Sequence, residues 1–298
     1  MRRNGDRVLA AIDVGTNAIR LEIARPLPDG TLETLHQERD PVRPGEGVFT
    51  TGSIPRPVAD RVLVTLSRYA ALCRRHKARV RAVATSAVRE ARNRDEIVRR
   101  ARREAGITLE VVSGREEARL ICLGVLSGAP PRARSLLLDI GGGSTEVSFA
   151  EGDRPTRLFS VNLGAVRLTE IFASSGRVSE ERLEVMRSFA AEAFRDALPG
   201  KLPRVRTAVG SSGTINAIVS THGDGRRLTL RKLERAMESI ADMTLAQARD
   251  SFERDLIADR LRHSGGNISR AAESLGVYAS NLHSKMKKLK VAAEKQEK

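Results

Sequence analysis

The feature that most constrains the fold is the stretch SLLLDIGGGSTEVSFA at residues 135–150. An apolar run ends at Asp139, three glycines and two hydroxyl residues follow, and Glu146 opens a second alternating run. This pattern predicts a strand, a tight turn and a second strand. Because Gly141–Gly143 have no Cβ, their N–H groups can approach an anion closely, and the turn is a candidate phosphate-binding loop.

Two acids flank this glycine turn, Asp139 before it and Glu146 after it. Carboxylates beside a phosphate are repulsive unless a hard cation such as Mg²⁺ lies between them, and oxygen ligands are the ones that this ion prefers. The alternative is a glycine-rich hairpin with two solvated acids. The stretch alone leaves both interpretations open.

The same order of residue types occurs near the N-terminus. Residues 8–24, VLAAIDVGTNAIRLEIA, again predict a strand, a turn and a strand. Residues 81–91 and 206–218 are each a short apolar strand, a hydroxyl-rich turn and a helix-compatible segment. Two half-chains with the same order of elements predict a duplicated α/β fold whose phosphate loops face each other across a cleft.

Two further segments carry candidate functional side chains. Arg89 follows the strand and turn at 81–91, where it can bind a phosphate with two N–H groups or be an ordinary surface arginine. Glu116 and Glu117 lie in the first turn of a predicted helix at 114–128. The helix dipole alone favours acids there, and alternatively one of the two points into the cleft as a general base.

Composition narrows the class of protein. The chain has 298 residues, a formal net charge of +15 and a pI near 10.8, so its surface should attract nucleic acid, polyphosphate or anionic lipid. Aromatic residues make up only 3% of the chain and Trp is absent, which disfavours base stacking as the main mode of recognition. No apolar stretch resembles a secretory or membrane segment.

The two cysteines, Cys73 and Cys122, lie in apolar helical patterns and lack the spacing of metal ligands. We therefore expect both to be small buried side chains of a reduced protein. This usage predicts a cytoplasmic location.

From about residue 246 the pattern changes to short amphipathic helices. The last of them has Leu282, Met286 and Leu289 on one face and lysines on the other. A short helix, a glycine-containing turn and a basic helix predict a DNA-binding helix-turn-helix. The alternative is a three-helix cap on the second half of the chain.

The first helix of this tail, from about residue 249 to 263, carries an apolar stripe. Its members are Phe252, Leu256, Ile257 and Leu261. A free monomer would leave such a stripe exposed, and the pattern therefore favours a homodimer.

Together, four ordered motifs resemble the exopolyphosphatase/guanosine pentaphosphate phosphohydrolase (Ppx/GppA) family over residues 8–245. They are DVGTNAIRL, SGREEARL, LDIGGGSTE with NLGAVRL shortly after, and AVGSSGT. The resemblance implies two ribonuclease-H-like lobes of the actin-like ATPase superfamily, at 1–129 and 130–245, the second of them shortened. It also implies a phosphohydrolase that releases terminal phosphate from polyphosphate or guanosine pentaphosphate with Mg²⁺ or another divalent cation.

The same resemblance assigns roles to single positions. Glu117 matches the glutamate that activates the attacking water, and Asp139 and Glu146 match the acids that organise the metal. The phosphate-binding positions are Asp13, Gly15, Thr16, Asn17, Arg20, Arg89, Gly141, Gly142, Gly143, Ser144, Thr145, Gly210, Ser211, Gly213 and Thr214. Two residues depart from the family pattern: Ala18 replaces a usual hydroxyl residue, and Ser212 replaces a usual glycine.

The tail resembles the Fis-type DNA-binding domain of NtrC-like transcriptional activators over residues 246–291, which implies a separate domain at 246–298. The expected DNA-binding residues are Asn281, His283, Ser284, Lys285, Lys287 and Lys288. Ala279 and Ser284 stand where such domains often have Arg, so base readout should be weak. If the shortened second lobe does not support catalysis, the alternative function is a transcriptional regulator that senses polyphosphate or nucleotides.

Overall fold

The structure is a computed structural model of the chain. It describes residues 7–127, 133–172, 179–205, 207–222, 227–241, 250, 254, 257–258, 260–261, 264–275, 277 and 279–291. The chain divides into two compact units, one comprising Met1–Ala173 and Phe189–Val209 and the other Ser174–Ser188 and Gly210–Lys298. The first unit contains the whole first sheet and most of the second sheet.

The first lobe is built on a five-stranded sheet with the order β3-β2-β1-β4-β5. Its strands are β1 Leu9–Val14, β2 Ile19–Pro26, β3 Leu32–Asp40, β4 Arg79–Ala84 and β5 Leu109–Val111. Strands β1 to β3 form an antiparallel meander, while β4 and β5 run parallel to β1. Alternate residues of β1 and β2 are buried, so one face of the sheet forms the core.

That core is completed by helices. The helices of this region are α1 Val48–Thr51, α2 Arg56–Arg75, α3 Ser86–Glu90 and α4 Arg94–Arg100. Along α2 the residues Val58, Val62, Leu66 and Tyr69 recur at helical spacing, and all four are buried in the core beneath the sheet. This long amphipathic helix therefore fixes the sheet that carries the first glycine turn.

The second lobe repeats this plan. Its four-stranded sheet has the order β8-β7-β6-β9, which is the spatial order of the first four strands of the other sheet. The strands are β6 Arg134–Ile140, β7 Thr145–Glu151, β8 Arg154–Val161 and β9 Thr207–Ser211. The segment at 135–150 is thus an antiparallel hairpin, as its pattern predicts.

Three helices accompany the second sheet. They are α5 Gly114–Val125, α6 Ala165–Ile171 and α7 Glu180–Ala197. Cys122 on α5 packs with Leu137 and Ala150, and Phe189 and Phe194 on α7 pack against the cluster around Phe149. Helix α5, which carries Glu116 and Glu117, therefore lies against the sheet that carries the glycine loop.

The remaining helices belong to the second unit. They are α8 Ser212–His222, α9 Leu230–Ala241, α10 Ile268–Ser274 and α11 Ala279–Leu289. In the tail, Leu282, Met286 and Leu289 of α11 pack with Ala271 and Ala272 of α10. A small separate core supports the tail helices.

One sequence interpretation of the tail is wrong for two residues. Ile257 and Leu261 are not left exposed in the monomer, because they are buried in the tail's own core. Their apolarity is explained by packing within one chain, and they do not support a dimer. Phe252 and Leu256 lie outside the described residues.

Both cysteines are buried and unpaired, as expected. None of the described helices combines the length and the apolar character that a membrane span requires. A π-helical turn at Ala101–Ala105 follows α4, and Gly106 ends it.

Candidate active site

The first glycine turn joins β1 to β2 and is closed by backbone hydrogen bonds. The N–H of Gly15 donates to the carbonyl of Ala18 at 3.1 Å, and the carbonyl of Thr16 accepts the N–H of Gly45 at 2.8 Å. Beside the turn, Arg20 donates to Asp13 across the β1–β2 pair at 3.2 Å. The turn is therefore held by a backbone hydrogen bond of its own and by one from Gly45, and the side chains of Asp13 and Arg20 lie together at its base.

The second glycine loop joins β6 to β7, and the carbonyl groups of its three glycines bond to the start of α6. The carbonyl of Gly141 accepts the N–H of Ala165 at 3.0 Å, and that of Gly142 accepts those of Val166 and Arg167 at 2.8 and 3.0 Å. Nε of Arg167 donates to the carbonyl of Gly143 at 2.7 Å. The start of α6 thus fixes the orientation of three consecutive peptide groups.

The N–H groups of this loop are used differently from its carbonyls. The N–H of Gly141 closes the turn on the carbonyl of Ser144 at 2.9 Å. Within the described part of the chain, the N–H groups of Gly142 and Gly143 donate to no protein acceptor. Two backbone donors in a partly enclosed loop are what a phosphate oxygen requires.

The two glycine turns are in contact with each other. A Cβ on Gly142 would lie 3.0 Å from the side chain of Thr16, and one on Gly143 would lie 2.8 Å from Oγ1 of Thr16 and collide with Ser86. Only glycine therefore allows this approach. The structure brings together the two loops that the sequence predicts to face each other.

Four carboxylates surround this meeting point: Asp13, Glu117, Asp139 and Glu146. Asp139 and Glu146 lie directly opposite each other in the β6–β7 pair. Although 37% of the Asp13 side chain is exposed, burial raises its pKa; the Arg20 guanidinium opposes that rise and the charge of Asp139 adds to it. The acids of the two lobes are thus close enough to affect one another.

Glu117 is the acid of α5 that joins this cluster. Its side chain is 13% exposed and accepts a hydrogen bond from Arg89 at 2.8 Å. Burial raises the pKa of Glu117, the Arg89 guanidinium acts in the opposite direction, and the charges of Asp13 and Asp139 raise it again. A carboxylate whose pKa is raised in this way is a stronger base than an exposed glutamate.

The neighbouring Glu116 lies in a different environment. It forms a two-fold hydrogen bond with Arg119 at 2.7 and 2.8 Å, which lowers its pKa. The structure therefore separates the two glutamates that the helix pattern by itself leaves equal: Glu117, the one that the family resemblance indicates, lies among the acids, and Glu116 is paired with Arg119.

Glu146 is the most buried of the four acids, with 2% exposure. Burial and then the charge of Glu117 raise the pKa of Glu146 to about 8, with a further contribution from Asp139, while hydrogen bonds from Ser144 and Ser160 act against this rise. Ser160 donates to it at 2.9 Å. An acid held in this way is costly to ionise unless a cation lies beside it.

The other predicted phosphate-binding residues differ in their surroundings. Asn17 is exposed in the first turn, whereas the hydroxyl of Thr145 is buried and donates to the carbonyl of Leu163 at 2.6 Å. Gly210, Ser211, Gly213 and Thr214 lie in the second compact unit, at the junction of β9 and α8. There Ser212 has a φ of 80°, a left-handed conformation that favours glycine.

The predicted DNA-binding residues all lie on α11. Asn281, His283, Ser284, Lys287 and Lys288 are exposed, Lys285 is half-buried, and the opposite face of the helix packs in the tail core. Helix α10 begins with Asn267, whose side chain accepts the N–H of Arg270 at 3.0 Å. Gly265 and Gly266, both with positive φ, form the turn that precedes α10.

Comparisons with known proteins agree with this arrangement. The sequence model of the Ppx/GppA phosphatase family matches residues 23–260. The chain belongs to this family. The model of the Fis family of bacterial regulatory proteins matches residues 248–289.

Several solved structures resemble the chain over most of its length. A Ppx/GppA family member from Aquifex aeolicus is 26% identical, with 95% of this chain and 90% of that chain covered and a TM-score of 0.66. An exopolyphosphatase from Cytophaga hutchinsonii is 25% identical, with 97% and 92% covered and a TM-score of 0.69. An exopolyphosphatase-like protein is 28% identical, with 82% and 80% covered and a TM-score of 0.73.

Membership of the Ppx/GppA family confirms the predicted fold and class of protein. The two sheets are the duplicated ribonuclease-H-like lobes of an actin-like ATPase fold, followed by a helical helix-turn-helix region. The protein is a hydrolase of the phosphatase type.

Sequence reasoning about this Ppx/GppA chain missed one group of residues beside the glycine loop. Arg167 lies in the motif NLGAVRL, its partners Ser86 and Glu90 lie in the strand–turn segment at 81–91, and Phe49 lies in no motif, but none of these patterns indicates that the four residues meet. An arginine between Val166 and Leu168 in an apolar run was the available clue, since a charge in such a position is buried only when paired.

Proposed function

We propose that the protein hydrolyses the terminal phosphoanhydride bond of inorganic polyphosphate or of guanosine pentaphosphate. The observation that carries this proposal is the pair of unused N–H groups at Gly142 and Gly143, in the loop that joins Asp139 to Glu146. Phosphoryl transfer to water requires donors for the phosphoryl oxygens and one base for the nucleophile. Both are present at the contact of the two lobes.

The residues divide between binding and proton transfer. Gly142, Gly143 and the first-lobe turn with Thr16 and Asn17 bind the terminal phosphate, and Arg20 neutralises part of its charge. A water held by Glu117 attacks the phosphorus and gives its proton to that carboxylate, while the bond to the bridging oxygen breaks. Arg89 donates to Glu117; it would keep the base oriented and offer its other N–H groups to the phosphate.

The acids also fit a divalent cation. Asp139 and Glu146 offer carboxylate oxygens from opposite strands of one hairpin, and the raised pKa of Glu146 indicates that its charge lacks compensation from the protein. Among the described residues no three acidic, His or Cys side chains converge to hold an ion alone. Two carboxylates plus phosphate oxygens and water are the usual Mg²⁺ shell, and this ion would neutralise charge that develops on the phosphoryl oxygens.

The test is phosphate release by the full chain from long-chain polyphosphate and from guanosine pentaphosphate, with Mg²⁺ or with a chelator. We expect release that requires the cation. Asp139→Asn should move the Mg²⁺ titration of activity to higher concentration, whereas Lys232→Ala, an exposed lysine on α9, should not. Tight polyphosphate binding without any release would select the sensing regulator instead.

We also propose that the tail binds DNA, a second function favoured by the Fis-family match and by the exposed polar face of α11. Lys287 and Lys288 would contact phosphates, and Asn281 and His283 would lie nearest the bases. With Ala279 and Ser284 in place of arginines, discrimination between sequences should be modest. A homodimer would place two copies of α11 on successive major grooves, roughly 34 Å apart.

Duplex binding by the full chain tests this second function. Fluorescence anisotropy over a salt series should give an affinity that falls steeply with salt. The double variant Lys287→Ala/Lys288→Ala should reduce the log–log slope by about one unit for each lost phosphate contact. Lys232→Ala is the matched control, and sedimentation of the same samples reports the dimer. No affinity at low salt would exclude DNA binding.

A further inference from the structure

Arg167 is a buried arginine whose guanidinium contacts a carboxylate, a backbone carbonyl and an aromatic ring. Its residue is only 9% exposed, yet it lies on the short helix α6 at the surface of the glycine loop. Nη2 donates to both carboxylate oxygens of Glu90, at 2.5 and 2.7 Å, and Nε donates to the carbonyl of Gly143 at 2.7 Å. Its guanidinium also lies over the ring of Phe49, 4.2 Å from the ring centre.

These partners come from two different lobes. Gly143 is part of the second lobe, whereas Glu90 ends α3 and Phe49 lies in α1 of the first lobe. One turn along α6, Glu170 makes a second crossing. Its two carboxylate oxygens accept the N–H groups of Gly47 and Phe49 at 2.7 and 3.0 Å. Helix α6 is therefore attached to both lobes by charged hydrogen bonds.

Helix α3 connects this attachment to the base. Its last two residues are Arg89, which donates to Glu117, and Glu90, which accepts from Arg167. A chain of contacts thus runs from Glu117 through α3 to Arg167 and the carbonyl of Gly143. The partly buried Arg167–Glu90 ion pair therefore links the segment that holds the base to the loop that carries the two unused N–H donors.

We propose that Arg167 and Glu90 form an inter-lobe latch, and that Arg167 is a positioning residue for phosphate binding by the glycine loop. The inference rests on the proposed function, because it assigns the loop a phosphate ligand. Arg167 touches neither the phosphate nor the water. Its Nε holds the peptide group that joins Gly143 to Ser144, next to the unused N–H of Gly143, while Glu90 of the first lobe holds its guanidinium.

If Arg167 positions the loop, its loss should change the KM for polyphosphate, which a residue needed only for folding would not change. Arg167→Met and Arg167→Lys should raise the KM for polyphosphate about tenfold, as expected for loss of one charged, geometrically specific contact, with a smaller change in kcat. Glu90→Gln should act in the same direction. The double variant Arg167→Met/Glu90→Gln should be no worse than Arg167→Met alone, because both remove the same pair.

Arg157 provides a matched control. It also lies over an aromatic ring, that of Phe159 at 5.0 Å, and donates to the carbonyls of Pro199 and Lys201, but these contacts stay within the second lobe. Arg157→Met should leave KM unchanged. A variant that only unfolds part of the sample lowers kcat and leaves KM unchanged, which distinguishes destabilisation from loss of positioning.

A second measurement is independent of turnover. Hydrogen exchange should be faster at residues 141–144 and 47–51 in Arg167→Lys and Glu90→Gln than in the wild type or in Arg157→Met, and tripolyphosphate should bind about tenfold more weakly. If the wild type releases no phosphate, the proposed function fails while exchange and binding still test the latch. Unchanged KM, exchange and affinity in the folded variants would overturn the latch.

Discussion

At the scale of single residues, differences in burial and in charged partners give neighbouring carboxylates of the site different pKa values. Glu116 and Glu117 are adjacent in sequence and equal in charge, but one is paired with Arg119 and the other lies beside Arg89 among the acids. Because desolvation raises the pKa of a carboxylate and a nearby arginine lowers it, the two glutamates have opposite shifts. Position on the helix surface therefore decides which one can act as a base.

Glu117→Gln should remove hydrolysis and leave binding of polyphosphate nearly intact, because the amide keeps the size and hydrogen bonding of the side chain but deletes the base. The rate should fall by about 10²–10⁴. Phosphate release and equilibrium binding are to be measured on the same samples, with Glu116→Gln as the control that stays within a few-fold of the wild type. Turnover by Glu117→Gln close to the wild-type rate would remove Glu117 from the mechanism.

Ser212 carries local strain that glycine would relieve. Its φ of 80° costs a residue with a Cβ about 1–2 kcal/mol. Glycine avoids this cost, but it lowers stability by about 0.4–1 kcal/mol because the unfolded chain gains conformational entropy. Ser212→Gly should therefore stabilise the protein by about 0.5–1 kcal/mol in chemical denaturation. Ser220→Gly, within the same helix α8, should destabilise it by about 0.5–1 kcal/mol. If both variants were stabilised or both destabilised, the strain at Ser212 would be contradicted.

At the scale of elements, the β6–β7 hairpin positions the glycine loop and also places two carboxylates close to each other. Its register sets Asp139 opposite Glu146, and the glycine turn that joins them approaches Thr16 of the other lobe. Two acids at this spacing and burial oppose each other's ionisation. The hairpin is accordingly expected to be more stable when one acid is protonated or when a divalent cation is bound.

This expectation gives a pH dependence for the metal-free protein. The folded pKa of Glu146 is raised to about 8, above the ordinary value of 4.5, so its protonated form is favoured by folding. Its contribution to stability is complete below about pH 4.5 and is lost as the pH rises to about 8, by up to about 1.4 kcal/mol per pH unit. Glu146→Gln should abolish that loss.

Thermal denaturation in chelator from pH 5 to pH 9 measures the effect. Glu151→Gln, an exposed glutamate at the other end of β7, should follow the wild-type profile. Mg²⁺ added at pH 8 should raise the Tm of the wild type more than that of Glu146→Gln. Parallel profiles for the wild type and Glu146→Gln would show that Glu146 titrates alike in the folded and unfolded states.

At the scale of the whole molecule, the chain has separate cores for its catalytic and tail regions. The first-lobe core lies beneath α2, and the tail core is formed by a few residues around Leu282. A small core buries little apolar surface, so each of its apolar side chains contributes a large share of the stability of that region. The proposed phosphate release and the proposed DNA binding should therefore respond to different core substitutions.

Leu282→Ala removes a fully buried side chain from the tail core and should cost that region about 2–5 kcal/mol. We expect loss of duplex binding with phosphate release retained. Leu66→Ala, equally buried on α2, should reduce phosphate release. Anisotropy and release assays on both variants check the separation, and loss of release in Leu282→Ala would contradict it.

Most of the elements and both glycine turns were predictable from the sequence because their signals are local. Apolar periodicity specifies which face of α2 or α11 is buried, and a run such as Gly141–Gly143 after a strand specifies a turn whatever surrounds it. The repeated order of strands and turns likewise predicted the duplicated sheets, since that order lies in the chain itself.

Tertiary structure alone decided which residues meet. Arg167 and Glu90 are 77 positions apart, and no local sequence pattern around either residue indicates that they pair. The choice between Glu116 and Glu117 depends on how α5 is rotated against the second sheet, and the burial of Ile257 and Leu261 depends on helices that come later in the chain. Periodicity indicates that a side chain is buried or exposed, whereas its partner is set by packing of segments far apart in sequence.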